Sequence, residues 1–362
     1  MIALSETGLG SVHGRTGPAA RSAPVAAWLF TVAAFVLAMV VVGGATRLTG
    51  SGLSITQWKP LTGALPPLGD AAWQDLFQKY RATSQYRLIN QGISLGEFKT
   101  LFWWEWAHRL LARGVGLVFI GPFIAFLALR RMPRRLTWPC VGLFALGGLQ
   151  GLVGWWMVQS GLEGRAAVAP ERLAIHLGVA LILFIALIWT GLDAWAGPRD
   201  PSSARGSSTW GRGAVVLVGA VFLQCLMGAL VAGNNAGLVD NDWPLMAGRF
   251  VPTDYWLDSL WSTVAHSRAA VQFNHRLAAY AILALAVGLW WTSLRSRLAP
   301  EGVRPLATLV VALVFLQATL GVLTLLGGVP LALALAHQAN AVLLLAASVA
   351  LAWRAAHAQT VL

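Results

Sequence analysis

Eight apolar runs leave this chain little choice of architecture. They fall at about 25–45, 104–129, 138–158, 172–193, 212–233, 269–291, 306–327 and 330–353. About 20 consecutive apolar residues let a helix cross the hydrocarbon of a bilayer. Inside the bilayer only a helix or a closed barrel satisfies its own backbone. Of 362 residues, 57% are hydrophobic and 11% charged, where soluble domains carry about 25% charged. The expectation is an all-α, polytopic membrane protein with eight transmembrane helices.

The net charge of +12 does not gather into a nucleic-acid-binding patch. Basic residues stand in short connections: Arg15 and Arg21, then RRMPRR at 130–135, then Arg199, Arg205 and Arg212, then Arg295, Arg297 and Arg304, and Arg354. The long loops, 46–103 and 234–268, hold Asp70, Asp75, Glu97, Asp240, Asp242, Asp254 and Asp258. Short basic connections stay inside, so both termini are expected in the cytoplasm and the long loops outside. For a bacterium this means a multi-pass inner-membrane protein. The first run is full length and leads into others, so no cleavable signal is expected. Most tryptophans near run ends, including Trp28, Trp103, Trp104, Trp155, Trp156 and Trp353, read as an interfacial belt. Cys140 and Cys225 read as small core residues rather than a disulfide framework.

The two halves echo each other. GGATRLTGSGLSITQWKPLTG (43–63) aligns without gaps on GALVAGNNAGLVDNDWPLMAG (228–248), AHRLLA from Ala107 on NHRLAA from Asn274, and Gln150 with Gly154 on Gln317 with Gly321. Matches in one order imply a repeat of two four-helix bundles. An even number of helices per unit makes the repeat parallel. The expected division is a tail at 1–24, a bundle at 25–193, a linker at 194–211, a second bundle at 212–353 and a tail at 354–362.

Of seven histidines, His13 and His357 fall in tails and His266 in a loop. His108, His176, His275 and His337 fall one in each even-numbered run, within about two turns of the outer surface. A lone histidine there would read as an interhelical hydrogen bond. Four at corresponding places of a repeat read as ligands, because polar groups in a membrane are costly and usually functional. Facing imidazoles in a bundle can hold a metal or a haem iron. Zinc or copper would ask for further carboxylate or thiolate ligands. Two bis-histidine haem sites, one per half, is the economical reading. Arg109 and Arg276 follow the second-helix histidines, either reaching to the interface or meeting haem propionates.

The repeat breaks three residues before those histidines. Glu105 precedes His108, and Gln272 precedes His275. Residues three apart share a helix face. A carboxylate beside a haem suits proton transfer, although it could instead pair with Arg109. Catalysis is therefore expected in the first half and a held cofactor in the second, with loop 46–103 as a lid. Gln272 at the matching place suggests that Glu105→Gln would fold normally.

GGATRLTGSGLSITQWKPLTGALPP, NQGISLGEFKTLFWWEWAHRLLARGVG, FNHR and AHQ together resemble heme A synthases of the proteobacterial and mitochondrial type, over about residues 25–353. The resemblance implies oxidation of the C8 methyl of heme O to the formyl of heme A, via a hydroxylated intermediate, for cytochrome oxidase. It implies heme b as cofactor on His275 and His337, with Arg276 nearby. The substrate haem would lie between His108 and His176, with Arg109 nearby and Glu105 as the essential carboxylate. The implied partners are heme O, the heme O synthase that supplies it, membrane lipid, and a quinone pool or an iron–sulfur protein for electrons. A homo-oligomer is left open. Some members carry cysteine pairs in the outer loops, which this chain lacks. A two-haem electron-transfer cytochrome b-like protein is the rival reading, and a histidine-relay transporter a third.

Reporter fusions test the orientation. Fusions in 130–135 and 295–304 should report cytoplasm, and those in 60–95 and 240–260 the other side. An outer signal from 130–135 would reverse the topology.

Overall fold

In the computed structural model the described residues are 21–59, 62–197, 209–296, 299 and 301–357. His13, Arg15, Arg199, Arg205, Arg297 and most of the expected linker lie outside them. The described chain is helical. It contains α1 (Ala23–Leu48), α2 (Asp70–Arg81), α3 (Ser84–Leu88), α4 (Leu95–Ala128), α5 (Arg134–Leu162), α6 (Pro170–Ala196), α7 (Thr209–Gly233), α8 (Leu260–His266), α9 (Arg268–Arg295), α10 (Val303–Leu326) and α11 (Leu331–His357). Eight of these, namely α1, α4 to α7 and α9 to α11, are long and apolar enough to cross a membrane. They match the eight apolar runs of the sequence and indicate a multi-pass membrane protein.

The same pairs pack in each half. α1 packs on α4 and α6, and α5 on α6; likewise α7 packs on α9 and α11, and α10 on α11. The halves meet through α1, α6, α7 and α11. Burial follows that placement: 44% of the most apolar stretch of α1 is buried, but 6% of that of α5. Lipid tails are as apolar as leucine, so helices associate by close packing rather than hydrophobic exclusion. Gly233 of α7 shows this where the halves touch, because a Cβ there would come within 2.8 Å of Pro170 Cα on α6.

Three sequence expectations need correction. The fourth element starts at Leu95, not near 104, because Ser94 and Glu97 form a capping box: Glu97 N–H donates to Ser94 Oγ, and Ser94 N–H donates to the Glu97 carboxylate. That S-x-x-E pair satisfies two end donors and carries the helix about two and a half turns past the apolar run. Trp28 and Trp353 are not belt residues; both are buried. The Trp28 indole N–H donates to Val118 O at 2.9 Å. That carbonyl is free because Pro122, four residues on inside α4, has no N–H to offer it. Trp353 donates to Asp193 Oδ1 at 2.8 Å. His357 is not in a tail; it ends α11 and stacks on Trp353 at 3.9 Å.

The first long loop folds into a cap. Trp73, Phe77 and Tyr80 of α2 pack on Phe98 and Phe102 of the α4 extension. The Tyr80 hydroxyl donates to Gln85 Oε1 and accepts from Asn90, and Gln85 Nε2 donates to Gly50 O. Burial raises the Tyr80 phenol above its ordinary pKa. Phe98 is 0% exposed, with Phe77 and Tyr80 each at 5.2 Å between ring centres. Truncating a buried Phe to Ala costs about 3–5 kcal/mol. Phe98→Ala should therefore loosen the cap while the membrane helices persist. Limited proteolysis should cut 65–93 faster in the variant, and an unchanged rate would refute the cap's dependence on this cluster.

Candidate functional site

Each half closes its loop onto its second membrane helix with an acid or amide plus an arginine. Glu105 of α4 is 3% exposed. Its Oε1 accepts from Arg109 Nη2 at 2.6 Å, and its Oε2 accepts from the Ser54 hydroxyl at 2.7 Å and Ile55 N–H at 2.8 Å. Arg109 also donates to Ile55 O and Gln57 O. In the second half Gln272 Nε2 donates to Ala236 O and Val239 O, while its Oε1 accepts from Arg276 Nη2 at 2.9 Å. Arg276 donates to Asp240 O, Asp242 O and Leu245 O. In that loop the Gly248 and Ala247 N–H groups hold the Asp242 carboxyl below its ordinary pKa, Gly248 most strongly. Both arginines thus pin loops; neither extends freely to the interface.

The two clasps have opposite polarity. Glu105 faces three donors, whereas Gln272 faces two carbonyl acceptors and one donor. A Gln at 105 would have one acceptor oxygen for three donors. Glu105→Gln is therefore not the neutral change for folding that Gln272 suggested, because a buried donor left without an acceptor costs about 1–3 kcal/mol.

The four histidines share one local device. Each imidazole lies against a glycine on the membrane helix before its own: His108 on Gly43, His176 on Gly154, His275 on Gly228 and His337 on Gly321. A Cβ at these glycines would lie 3.0, 2.8, 3.2 and 2.9 Å from the respective Cε1 atoms. Glycine removes the side chain that would push the ring away. The rings are half-buried and face the bundle interior. Glutamines stand one turn before three of the glycines. Gln150 Nε2 approaches His176 Nδ1 at 3.2 Å, Gln224 approaches His275 Nε2 at 3.3 Å, and Gln317 approaches His337 Nδ1 at 3.1 Å. The sequence showed Gln150 and Gln317 only as repeat markers and missed Gln224. Their shared spacing of four residues from the glycines was the available signal.

The histidine pairs suit a haem iron. The His275 and His337 ring centres are 6.5 Å apart. Metal–imidazole bonds of about 2 Å on either side put ring centres about 6 Å apart. His275 Nδ1 and His108 Nδ1 are buried without partners, which fits a role as metal ligands. His108 and His176 lie within electrostatic reach of each other. Among the described residues no three His, Cys, Asp or Glu side chains group to hold a metal ion; paired imidazoles are a donor set that a haem iron accepts. Gln338, next to His337, donates to Val40 O on α1, three residues before Gly43. It joins the two sites. His266 belongs to neither and faces Glu171 at 4.0 Å.

The bundles differ along one seam. α9 packs closely on α10, whereas α4 and α5 scarcely meet. The cap reaches over the open seam: α3 touches α5, and Trp58 of the loop faces Trp155 of α5 at 6.4 Å. The first half thus leaves α4 and α5 apart along one seam, beneath its loop.

Gly321→Ala should displace His337 and weaken retention of bound haem by about tenfold or more, the scale on which supporting residues act at metal sites. Gly288→Ala, beside open space, should not. Haem per protein after detergent extraction measures both, and equal content would contradict the seating role.

Residues 26–349 match the COX15-CtaA family, described as cytochrome oxidase assembly protein. The chain is 58% identical over 335 residues to the heme A synthase of Caulobacter vibrioides, covering 92% of this chain and 96% of that relative. It is 48% identical over 326 residues to the heme A synthase of Parvibaculum lavamentivorans, covering 90% and 92%. It is 47% identical over 328 residues to that of Rhodopseudomonas palustris, covering 89% and 87%. Paired histidines in an eight-helix membrane frame and similarity along nearly the whole chain agree: this chain belongs to the COX15-CtaA family of cytochrome oxidase assembly proteins.

Proposed function

We infer that this chain converts heme O to heme A for cytochrome oxidase assembly, as an oxidoreductase. Identity of 58% to a heme A synthase over most of both chains supports the reaction. The division of labour rests on one observation, the difference between the two seams. A substrate must enter and leave, and heme O with its long apolar tail is a lipid-like molecule that would do so through a gap between helices. A cofactor needs no gap. The first half, with α4 and α5 apart, is the substrate half. The second half, with α9 and α10 closed, holds heme b between His275 and His337. A carrier with two permanent haems would have no use for this difference.

Bound heme b would supply one-electron transfer between the substrate site and a membrane redox partner, a quinone pool or an iron–sulfur protein. The chain's residues do the rest. His108 and His176 hold the substrate haem. Arg109 and Arg276 keep the loops shut over their sites, through which water is excluded. Gln338 keeps α11 against α1 and so fixes the spacing of the two sites. Oxidising a methyl to a formyl group with the oxygen of water releases four protons and four electrons. Glu105 is the carboxylate of the first half that shares a helix face with His108, and it is the proton acceptor in this reading. Its clasp with Ser54 and Ile55 orients it. The basic connections face the cytoplasm of a bacterium, both termini lie there, and the capped sites lie toward the outer side of the inner membrane. Heme O arrives from the enzyme that makes it.

Two variants separate proton transfer from cap closure. Glu105→Gln should lower heme A formation by about 10²–10⁴-fold, the usual contribution of a general base, with heme O or its hydroxylated form accumulating. Ser54→Ala removes one donor to Glu105 and leaves the carboxylate, so it should stay within about tenfold of the parent, as loss of a single hydrogen bond allows. Chromatography of extracted haems reads both. Proteolysis of 65–93 reads cap closure in the same variants; equal losses, or a loss in Glu105→Gln that comes only with faster cleavage there, would make Glu105 a clasp alone. His275→Ala or His337→Ala should lower bound heme b; full heme b in both would overturn the cofactor assignment.

A further inference from the structure

The repeat breaks at a second place, and it concerns the histidines themselves. Gln150, Gln224 and Gln317 each precede by four residues the glycine that seats a histidine, and each brings its amide to that histidine's ring. Four residues before Gly43 stands Met39. His108 therefore has a glycine seat but no amide hydrogen-bonded to its ring, whereas His275, whose Nδ1 is likewise buried without a partner, has Gln224 at its Nε2.

The amides do two things that a methionine does not. Gln150 and Gln224 also donate to the backbone carbonyls of His176 and His275, at 3.1 and 2.9 Å. Gln317 is itself held, since Asn340 Nδ2 donates to its Oε1 at 2.8 Å. Each amide is thus fixed next to the ring. An amide also carries both a donor and an acceptor. As placed, each amide meets its ring through Nε2, and a hydrogen bond to the ring fixes the orientation of a histidine that is to bind metal. A thioether accepts only weakly and donates nothing.

We propose that Gln150, Gln224 and Gln317 are positioning residues that hold His176, His275 and His337 as firm haem ligands, and that Met39 leaves His108 as the one yielding ligand. The inference rests on the reading of the two histidine pairs as haem sites. It assigns them different chemistry. The cofactor half has two fixed imidazoles and keeps its iron closed. The substrate half has one fixed imidazole, His176, and one, His108, that a small ligand can displace. His108 also lies on the helix that borders the open seam and carries Glu105, so the yielding side of the substrate haem is the side with the carboxylate.

Carbon monoxide is the probe, because it binds reduced haem iron only where an axial position can open. In the purified full-length protein, reduced and loaded with haem, CO should bind one haem population and leave the other unchanged. Met39→Gln, which copies the Gln224 arrangement, should weaken that CO binding by about tenfold or more at unchanged haem content. Met39→Leu should leave it as it is. Gln224→Met and Gln317→Met together should make the closed heme b reactive to CO. Unchanged CO affinity in a folded, haem-loaded Met39→Gln, or a heme b still inert after both glutamine changes, would overturn the proposal. Failure of the underlying reading looks different: His108→Ala and His176→Ala would then leave haem content and CO binding both unchanged.

Discussion

The structure depends on a close contact between an imidazole and a bare stretch of helix backbone. Four times, a histidine near the loop-bearing end of one membrane helix lies on a glycine of the helix before it. Polar rings inside a membrane are costly, and a ring is held there only if its neighbours leave room and offer partners. Glycine leaves the room and, in three cases, a glutamine one turn away offers the partner. The rest follows from keeping these seats in register. α1, α6, α7 and α11 form the buried centre and bring the seats of both halves within one frame. Each loop is tied down beside its site by an arginine and the acid or amide one turn before it.

Within that frame the halves differ in a consistent direction. Where the second half has Gln272 bound to loop carbonyls, the first has a carboxylate bound to loop donors. Where the second half has Gln224 beside His275, the first has Met39. Where α9 and α10 close, α4 and α5 part. Under the proposed function these differences point one way: the second half would keep a cofactor, and the first would hold its haem less firmly and add a group for proton transfer.

Much of this was legible in the sequence because the membrane simplifies the code. Twenty-residue apolar runs read as helices, and histidines at corresponding places of two halves read as pairs. The break at Glu105 and Gln272 was visible as a mismatch in an otherwise matched helix. What was not legible depends on partners distant in sequence. The indole of Trp28 reads as an interface anchor until Pro122 is seen to leave Val118 O free. That Arg109 also ties down the carbonyls of Ile55 and Gln57 could not be read from the helix that carries it. Glu105→Gln looked harmless to folding from the match with Gln272, because matching one half on the other does not say whether a side chain faces donors or acceptors. The early start of α4 was readable, since Ser94 and Glu97 stand three apart, but the charged and aromatic stretch that follows hid the helix behind an apolar criterion.

The central claim is that the two histidine pairs hold haems of different standing, one resident and one in transit. Haem inventory with exchange tests it directly. The full-length protein, purified and analysed by pyridine haemochrome spectra and chromatography, should retain about one heme b per chain that does not leave on incubation with vesicles, consistent with a bis-histidine site closed on both faces. A second haem of O or A type, at less than full occupancy, should exchange with heme O supplied in those vesicles. Two heme b groups per chain, both resistant to exchange, would contradict the account and mark the protein as an electron carrier.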